Sequence, residues 1–226
     1  MLRLSVASAI GSYFGESMAD QAELLNDEFV VALETHAERY AGKLTLSEIT
    51  RLRDYYEQVM AWNPRLHLVA PCAPAEFAVR HVLESLFALN FLPHEARVID
   101  IGSGAGLPII PCLIARPLLR ATLFESSPKK TVFLREALRR LNLAAEVIPE
   151  RFEKTAPPAA EFLTCRALDR FADLLKTLVG WPPPASRLLL FGGPALGTQI
   201  EKEHFTHTAI QIPDSRQRYT YIIDAA

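Results

Sequence analysis

Between Arg97 and Pro108 the chain passes from an apolar run, Arg97-Val98-Ile99-Asp100-Ile101, straight into Gly102-Ser103-Gly104-Ala105-Gly106-Leu107-Pro108, and a helical stretch follows. Alternating glycines at the carboxyl end of a buried strand let backbone approach a ligand closely, because no Cβ intervenes. The competing reading is a plain strand-to-helix turn without a ligand. Three glycines behind a strand that carries Asp100 argue against it.

The remainder of the chain fits a sheet built around that turn. Arg120–Phe124, Ala145–Ile148, Glu161–Cys165 and Arg187–Phe191 are further short apolar runs, with helical stretches between them. Near-continuous apolar runs suit parallel strands covered on both faces, and strand-helix alternation implies a doubly wound sheet. Thr206–Ile212 and Arg218–Ile223 follow each other across a short turn containing Pro213 and Asp214, which reads as an antiparallel hairpin. The expected fold is therefore α/β and Rossmann-like, with seven mostly parallel strands closed by a hairpin, the layout of a class I methyltransferase.

Ahead of this domain, placed at residues 94–226, residues 1–93 read as a helical region or cap. Leu24, Leu25, Phe29, Val30 and Leu33 recur at helical spacing, as do Ile49, Leu52, Tyr55, Tyr56, Val59 and Met60. Thr45-Leu46-Ser47-Glu48 supplies helix-starting chemistry, and Trp62-Asn63-Pro64 is expected to end that helix, since proline disfavours helical geometry in the residue before it. A further helix is expected from about Pro74 to Leu89. Met1–Ile10 has one positive charge and is followed by Gly11, Ser12 and Gly15, so it reads as a frayed or helical extension. No membrane span is expected.

Which ligand the turn takes follows from its register. A dinucleotide site wants its third glycine at position 107, where Leu107 stands; here the glycine is Gly106. S-adenosylmethionine carries no pyrophosphate and needs close backbone approach without an anion cradle. Asp100 supplies negative charge near its sulfonium and amino group. Glu125 closes the second strand about twenty residues beyond the turn, where an acid can accept ribose hydroxyls. The three cysteines, Cys72, Cys112 and Cys165, are far apart and form no metal-ligand spacing, so neither zinc nor a disulfide framework is expected and the location is expected to be cytoplasmic. A net charge of -2 means that any nucleic-acid partner must be met by a local patch.

These residues resemble the bacterial 16S ribosomal RNA methyltransferase G family, also called glucose-inhibited division protein B. The resemblance runs from about Thr45 to Ile223. It is carried by Asp100-Ile101-Gly102-Ser103-Gly104-Ala105-Gly106-Leu107-Pro108 paired with Leu123-Phe124-Glu125-Ser126-Ser127-Pro128-Lys129-Lys130-Thr131-Val132-Phe133-Leu134. Trp62-Asn63, Arg80-His81-Val82-Leu83-Glu84-Ser85, Arg151-Phe152-Glu153 and Cys165-Arg166-Ala167 add to it. The resemblance implies methyl transfer from S-adenosylmethionine to guanine N7 in the decoding region of 16S rRNA, with 16S rRNA or the small ribosomal subunit as partner; a monomer is expected. It implies cofactor contacts from Gly102, Gly104, Gly106, Glu125, Ser126, Phe152, Glu153 and Arg166, beside Asp100, Ser103 and Leu107 of the turn, and places His81 at the cofactor pocket. Three positions depart from the family pattern. Ile109 replaces a glycine, Gly192 stands where a lysine is usual, and His67 replaces an asparagine.

Guanine N7 has a free lone pair and no proton at neutral pH, so its methylation needs alignment rather than a general base. Arg166 and His81 are the expected catalytic-site side chains. Arg166 is read either as orienting substrate or as a salt-bridge partner of Glu125 or Asp169, and His81 either as a ligand contact or as a structural histidine. Lys129, Lys130, Arg135 and Arg139 are nominated for RNA phosphates, against the alternative of a solvated helix face. Arg51, Arg53, Arg65 and Arg80 are secondary candidates. Other readings are a methyltransferase of a small molecule or protein, and a non-catalytic ribosome-assembly module that keeps the fold.

Overall fold

The computed structural model describes residues 27–166 and 171–225. The expectations for Met1–Ile10, for Leu24 and Leu25, and for Asp169 lie outside those residues.

The helical region opens with α1 (Glu28–His36), capped by the Asp27 carboxylate on the Phe29 N–H, and α2 (Leu46–Leu66). Thr45 and Glu48 form a reciprocal capping box: the Thr45 hydroxyl accepts from the Glu48 N–H, and the Glu48 carboxylate accepts from the Thr45 N–H. The helix does not stop at Asn63. It runs through Pro64 to Leu66 and closes on His67, which is left-handed at φ 48°. A proline in the last turn costs only one intrahelical bond, and the Asn63 side chain accepts from the Val69 N–H at 3.0 Å beyond the helix end.

A third helical run is continuous from Pro74 to Asn90 but changes its winding. It consists of α3 (Pro74–Phe77), a π-helical segment (Ala78–Leu83), α4 (Glu84–Leu86) and a 3-10 turn (Phe87–Asn90). Its length matches the apolar spacing. The π segment has no sequence signal.

The strands are β1 (Arg97–Ile101), β2 (Arg120–Phe124), β3 (Ala145–Ile148), β4 (Phe162–Arg166), β5 (Arg187–Gly192), β6 (Thr208–Gln211) and β7 (Tyr219–Asp224). They form one sheet in the order β3-β2-β1-β4-β5-β7-β6, parallel except that β7 runs antiparallel to both β5 and β6. The helices between strands are α5 (Ile109–Ala115), α6 (Pro128–Arg140), α7 (Phe171–Gly180) and α8 (Pro194–Lys202). Side chains alternate across the sheet as a period of two requires. Val98, Leu189 and Phe191 face one cluster with α1, α2, α5 and α6, whereas Ile99, Ile101, Leu188 and Leu190 face another with α7 and α8. The helical region therefore has no core of its own. Its Phe29, Leu52, Tyr55 and Phe77 are fully buried in the first of these clusters.

Strand order reverses between β1 and β4, so a crevice opens at the carboxyl ends of those strands. That is where the glycine turn lies.

Candidate active site

Gly102, Gly104 and Gly106 all adopt left-handed φ, at 69°, 55° and 88°. Gly102 and Ser103 donate backbone N–H groups to the Phe124 carbonyl at 2.9 and 3.1 Å, which fastens the turn to the end of β2. A Cβ on Gly106 would sit 2.3 Å from Ile110 Cδ1, so only glycine fits between turn and helix there. A Cβ on Gly104 would meet only the Gly102 carbonyl at 3.7 Å and otherwise enter open space. Glu125, buried at the end of β2, accepts from the Gly104 N–H through Oε2 at 2.9 Å and from the Ser127 N–H through Oε1 at 2.7 Å. The Tyr55 hydroxyl donates to the Ala105 carbonyl at 2.7 Å and ties α2 to the same turn.

A cavity of about 560 Å³ opens over the turn. Gly102, Ser103, Gly104, Leu107, Glu125, Ser126, Phe152, Glu153, Arg166 and His81 line it, together with Lys130. Asp100 does not. Its carboxyl is fully buried behind the turn, accepts from the Thr164 hydroxyl at 2.6 Å, and leaves Oδ2 without a partner among the described residues. Burial pushes its pKa up to about 7, against the hydrogen bonds from Ser103 and Thr164. Gly106 lies within the turn but does not line the cavity, and the Ile110 side chain fills the space that a Cβ there would need. Phe152 is buried and packs on Trp181 at 5.3 Å between ring centroids.

His81 projects from the π segment, with its ring 4.9 Å from that of Phe77. Burial, followed by the nearby Arg166 and Arg80, pushes its pKa down to about 4, so the imidazole is neutral at physiological pH. Its Nδ1 is buried without a partner among the described residues.

Arg166 is already engaged. Its guanidinium donates to the Arg80 carbonyl at 2.6 Å, the Ser85 hydroxyl at 3.4 Å and the His81 carbonyl at 3.5 Å, and pairs with Glu84 at 3.2 Å. The salt-bridge partner is therefore Glu84 rather than Glu125. Glu84 is 1% exposed and also accepts from Arg218 at 2.5 Å. Its pKa is raised by burial, an effect that the two arginines oppose.

Of the nominated basic residues, Lys129 is exposed on α6 and Lys130 borders the cavity. Arg139, with Arg140, holds Glu136 and keeps that carboxylate at a pKa of about 2, and Arg135 donates to the Val147 carbonyl at 3.3 Å. Arg51 donates to the Leu141 carbonyl, Arg53 pairs with Asp27 and Glu57, and Arg80 pairs with Glu76. Ile109 is fully buried in the core, away from the cavity. At Gly192 a Cβ would approach Leu196 Cδ2 to 2.6 Å, so a longer side chain there requires Leu196 to move. Sequence reasoning passed over Tyr55, Glu84 and Arg218 as site residues. A hydroxyl within an apolar helical face marks Tyr55 as needing a partner, but nothing local links Arg218 to Glu84. Among the described residues no helix is long and apolar enough to cross a membrane, and no group of three His, Cys, Asp or Glu is placed to hold a metal.

A family model described as rRNA small subunit methyltransferase G matches residues 48–217. A ribosomal RNA small subunit methyltransferase G from Xanthomonas axonopodis pv. citri is 44% identical over 123 residues, covering 54% of this chain and 58% of that relative. The chain thus spans little more than half the length of the first curated relatives it matches. One of the same name from Ruegeria pomeroyi is 32% identical over 194 residues, covering 82% of this chain and 88% of the relative. Among solved structures, a SAM dependent methyltransferase from Aquifex aeolicus aligns at TM-score 0.55 and 13% identity, covering 68% of this chain and 94% of that one. A methyltransferase from Pyrococcus furiosus aligns at 0.54 and 12%, covering 78% and 98%. At these identities the two structures establish a shared fold.

Proposed function

The chain belongs to the rRNA small subunit methyltransferase G family, and from that premise we propose that it transfers a methyl group from S-adenosylmethionine to N7 of a guanosine in the decoding region of bacterial 16S rRNA. The observation that carries the reading is the three-glycine turn, hydrogen-bonded to Glu125 and opening onto a 560 Å³ cavity at the point where strand order reverses.

The residues fit the cofactor. The space above Gly104 is free of side chains, and Glu125 has used one lone pair on each oxygen and keeps the others for hydroxyl donors. Bound S-adenosylmethionine supplies a methyl group on a positively charged sulfur. In this reading Gly102, Ser103 and Gly104 present backbone, Glu125 and Ser126 hold the ribose, and Phe152 and Glu153 flank the base. Leu107, His81 and Arg166 stand toward the acceptor. Asp100 acts from beneath the turn, as a buried acid beside a site that takes a cation.

The acceptor nitrogen carries no proton, so no side chain has to remove one. What these side chains do is exclude water and hold a flipped or unpaired purine in line with the methyl group. With Nδ1 buried, the neutral His81 imidazole offers the purine edge its other ring nitrogen, donor or acceptor according to tautomer, without adding charge beside a sulfonium. Lys129 and Lys130, at the start of α6 with Lys130 bordering the cavity, are the side chains that would meet backbone phosphate in this reading, in a monomer acting in the cytoplasm.

The test is incubation with S-adenosylmethionine and small ribosomal subunits from a strain lacking the modification, with N7-methylguanosine read by mass spectrometry of the 16S RNA. N7-methylguanosine at one decoding-region position is the expected result. Methyl incorporation elsewhere would redirect the substrate, and none at all would end the proposal.

A further inference from the structure

The buried charges beside the cavity do something that the cofactor and RNA contacts leave unexplained. Glu84, Arg166 and Arg218 come from the helical region, the end of β4 and the residue before β7, and they meet on one carboxylate that is 1% exposed. Taking the Glu84 carboxylate and most of the Arg166 guanidinium out of water is expensive, with Arg218 still 37% exposed, and well-packed apolar side chains would hold such a junction at least as firmly. Stability alone is therefore a poor reason for the cluster. Its geometry suggests another. With one oxygen Glu84 accepts from Arg166 Nη2, which also donates to the Arg80 carbonyl, and Nη1 of the same fork reaches the His81 carbonyl and the Ser85 hydroxyl. Those groups lie in or directly after the π-helical segment, a winding that holds its place only where side chains or tertiary contacts support it. His81 leaves the backbone within that segment and reaches the cavity wall.

We propose that Glu84 is a positioning residue: through Arg166 it clamps the π-helical turn and so sets the His81 imidazole at the acceptor side of the cavity. Glu84 does not itself line the cavity. Arg218 anchors the second oxygen of the carboxylate, so the clamp is referenced to the antiparallel end of the sheet as well as to β4. The proposal rests on the methyltransferase reading for its kinetic consequence, but its geometric consequence can be read without turnover.

The experiment compares wild type with Glu84→Gln, well below the melting temperature of either. Tyr40→Phe is the control, because it removes a hydrogen bond to the Pro213 carbonyl between the same helical region and the hairpin without touching the cavity. Three quantities are measured: kcat on unmethylated small subunits, the calorimetric Kd for S-adenosylmethionine, and the nitrogen resonances of the His81 imidazole, assigned by their loss in His81→Gln. Glu84→Gln is expected to lower kcat by about tenfold and to shift the His81 resonances, while Kd stays within about threefold. Tyr40→Phe should lower the melting temperature and move none of the three. Unchanged His81 resonances in Glu84→Gln overturn the clamp, as does a kcat within about twofold of wild type. If wild type transfers no methyl group, the methyltransferase reading falls, and the resonance shift alone decides the clamp. Should Glu84→Gln not fold, Arg166→Lys takes its place. It keeps the charge but loses the fork that reaches the carbonyls, and the same resonance shift is required of it.

Discussion

The cavity has two walls built at different ranges along the chain. On the glycine side the decisive contact is Gly104 to Glu125, only 21 residues apart, and the Gly102 and Ser103 amides bond to the adjacent Phe124. On the helical side Arg166 reaches 85 residues to the His81 carbonyl, and Arg218 reaches 134 residues to Glu84. The first wall is mostly backbone held by neighbouring strand ends. The second is made of charged side chains and exists only once the helical region has docked on the sheet. A site can thus present a rigid surface to one ligand and an adjustable one to the other, and damage to the two walls should separate in experiment.

The largest effect is expected on the glycine side. Gly106→Ala forces a methyl group into fully buried Ile110 at a φ of 88°, and should cost about 3 kcal/mol in denaturant unfolding. A loss under a third of that would mean the turn is looser than its contacts imply. Gly104→Asp meets no neighbouring side chain, so it should cost only the strain of its φ of 55°, about 1 kcal/mol, while S-adenosylmethionine affinity falls by about 100-fold in calorimetry. Unchanged affinity would remove this wall from the cofactor site.

Asp100 lies beneath the same wall and gives a pH signature. Its folded pKa of about 7 lies above the unfolded carboxylate value, so the native state holds the proton more tightly. Its contribution is fully present below about pH 4 and is lost as pH rises through about 7. His81, shifted downward, slopes the other way, so the difference between wild type and Asp100→Asn is the quantity to follow. The wild type should lose about 3 kcal/mol relative to Asp100→Asn between those limits in urea titrations, and parallel curves would refute the buried-acid assignment.

Smaller effects belong to the outer rim. Lys129→Glu should weaken small-subunit binding by about fivefold at low salt, and the difference should vanish at high salt. Equal binding by filter retention at both salt concentrations would leave α6 as a solvated face, which the pairing of Arg139 and Arg140 with Glu136 already suggests for its far end. The smallest change is His67→Asn at the left-handed end of α2, which should raise stability by about 0.5 kcal/mol in thermal unfolding. A decrease would mean that the imidazole makes contacts worth more than the relief of backbone strain.

Much of this was legible in the residues. β1, β2 and β3 begin and end where their apolar runs do, although β1 carries the buried Asp100 and β3, at the sheet edge, is only partly covered. The hairpin was legible from two runs separated only by the short turn at Pro213 and Asp214, with its strands shifted by a residue or two. The end of α2 was misread: Pro64 suggested a stop, but the cost of one missing bond in a last turn is smaller than what the Asn63 side chain and the left-handed His67 supply beyond it. Glu125 could be found from its distance to the turn, whereas the partner of Arg166 could not. Glu84 stands in an apolar helical stretch where a carboxylate looks misplaced until two arginines from remote strands meet it.

By itself the sequence determined the order of strands and helices, the backbone freedom at three glycines, and the acid that faces them. Each of these depends on interactions within about twenty residues, where spacing is information. Only the tertiary structure decided that the helical region shares the sheet's core, that its third helix winds as a π segment beneath His81, and that Arg166 is held by Glu84. Those outcomes come from packing and from neutralising buried charge between segments as much as 134 residues apart, and no local pattern encodes which distant partner will arrive.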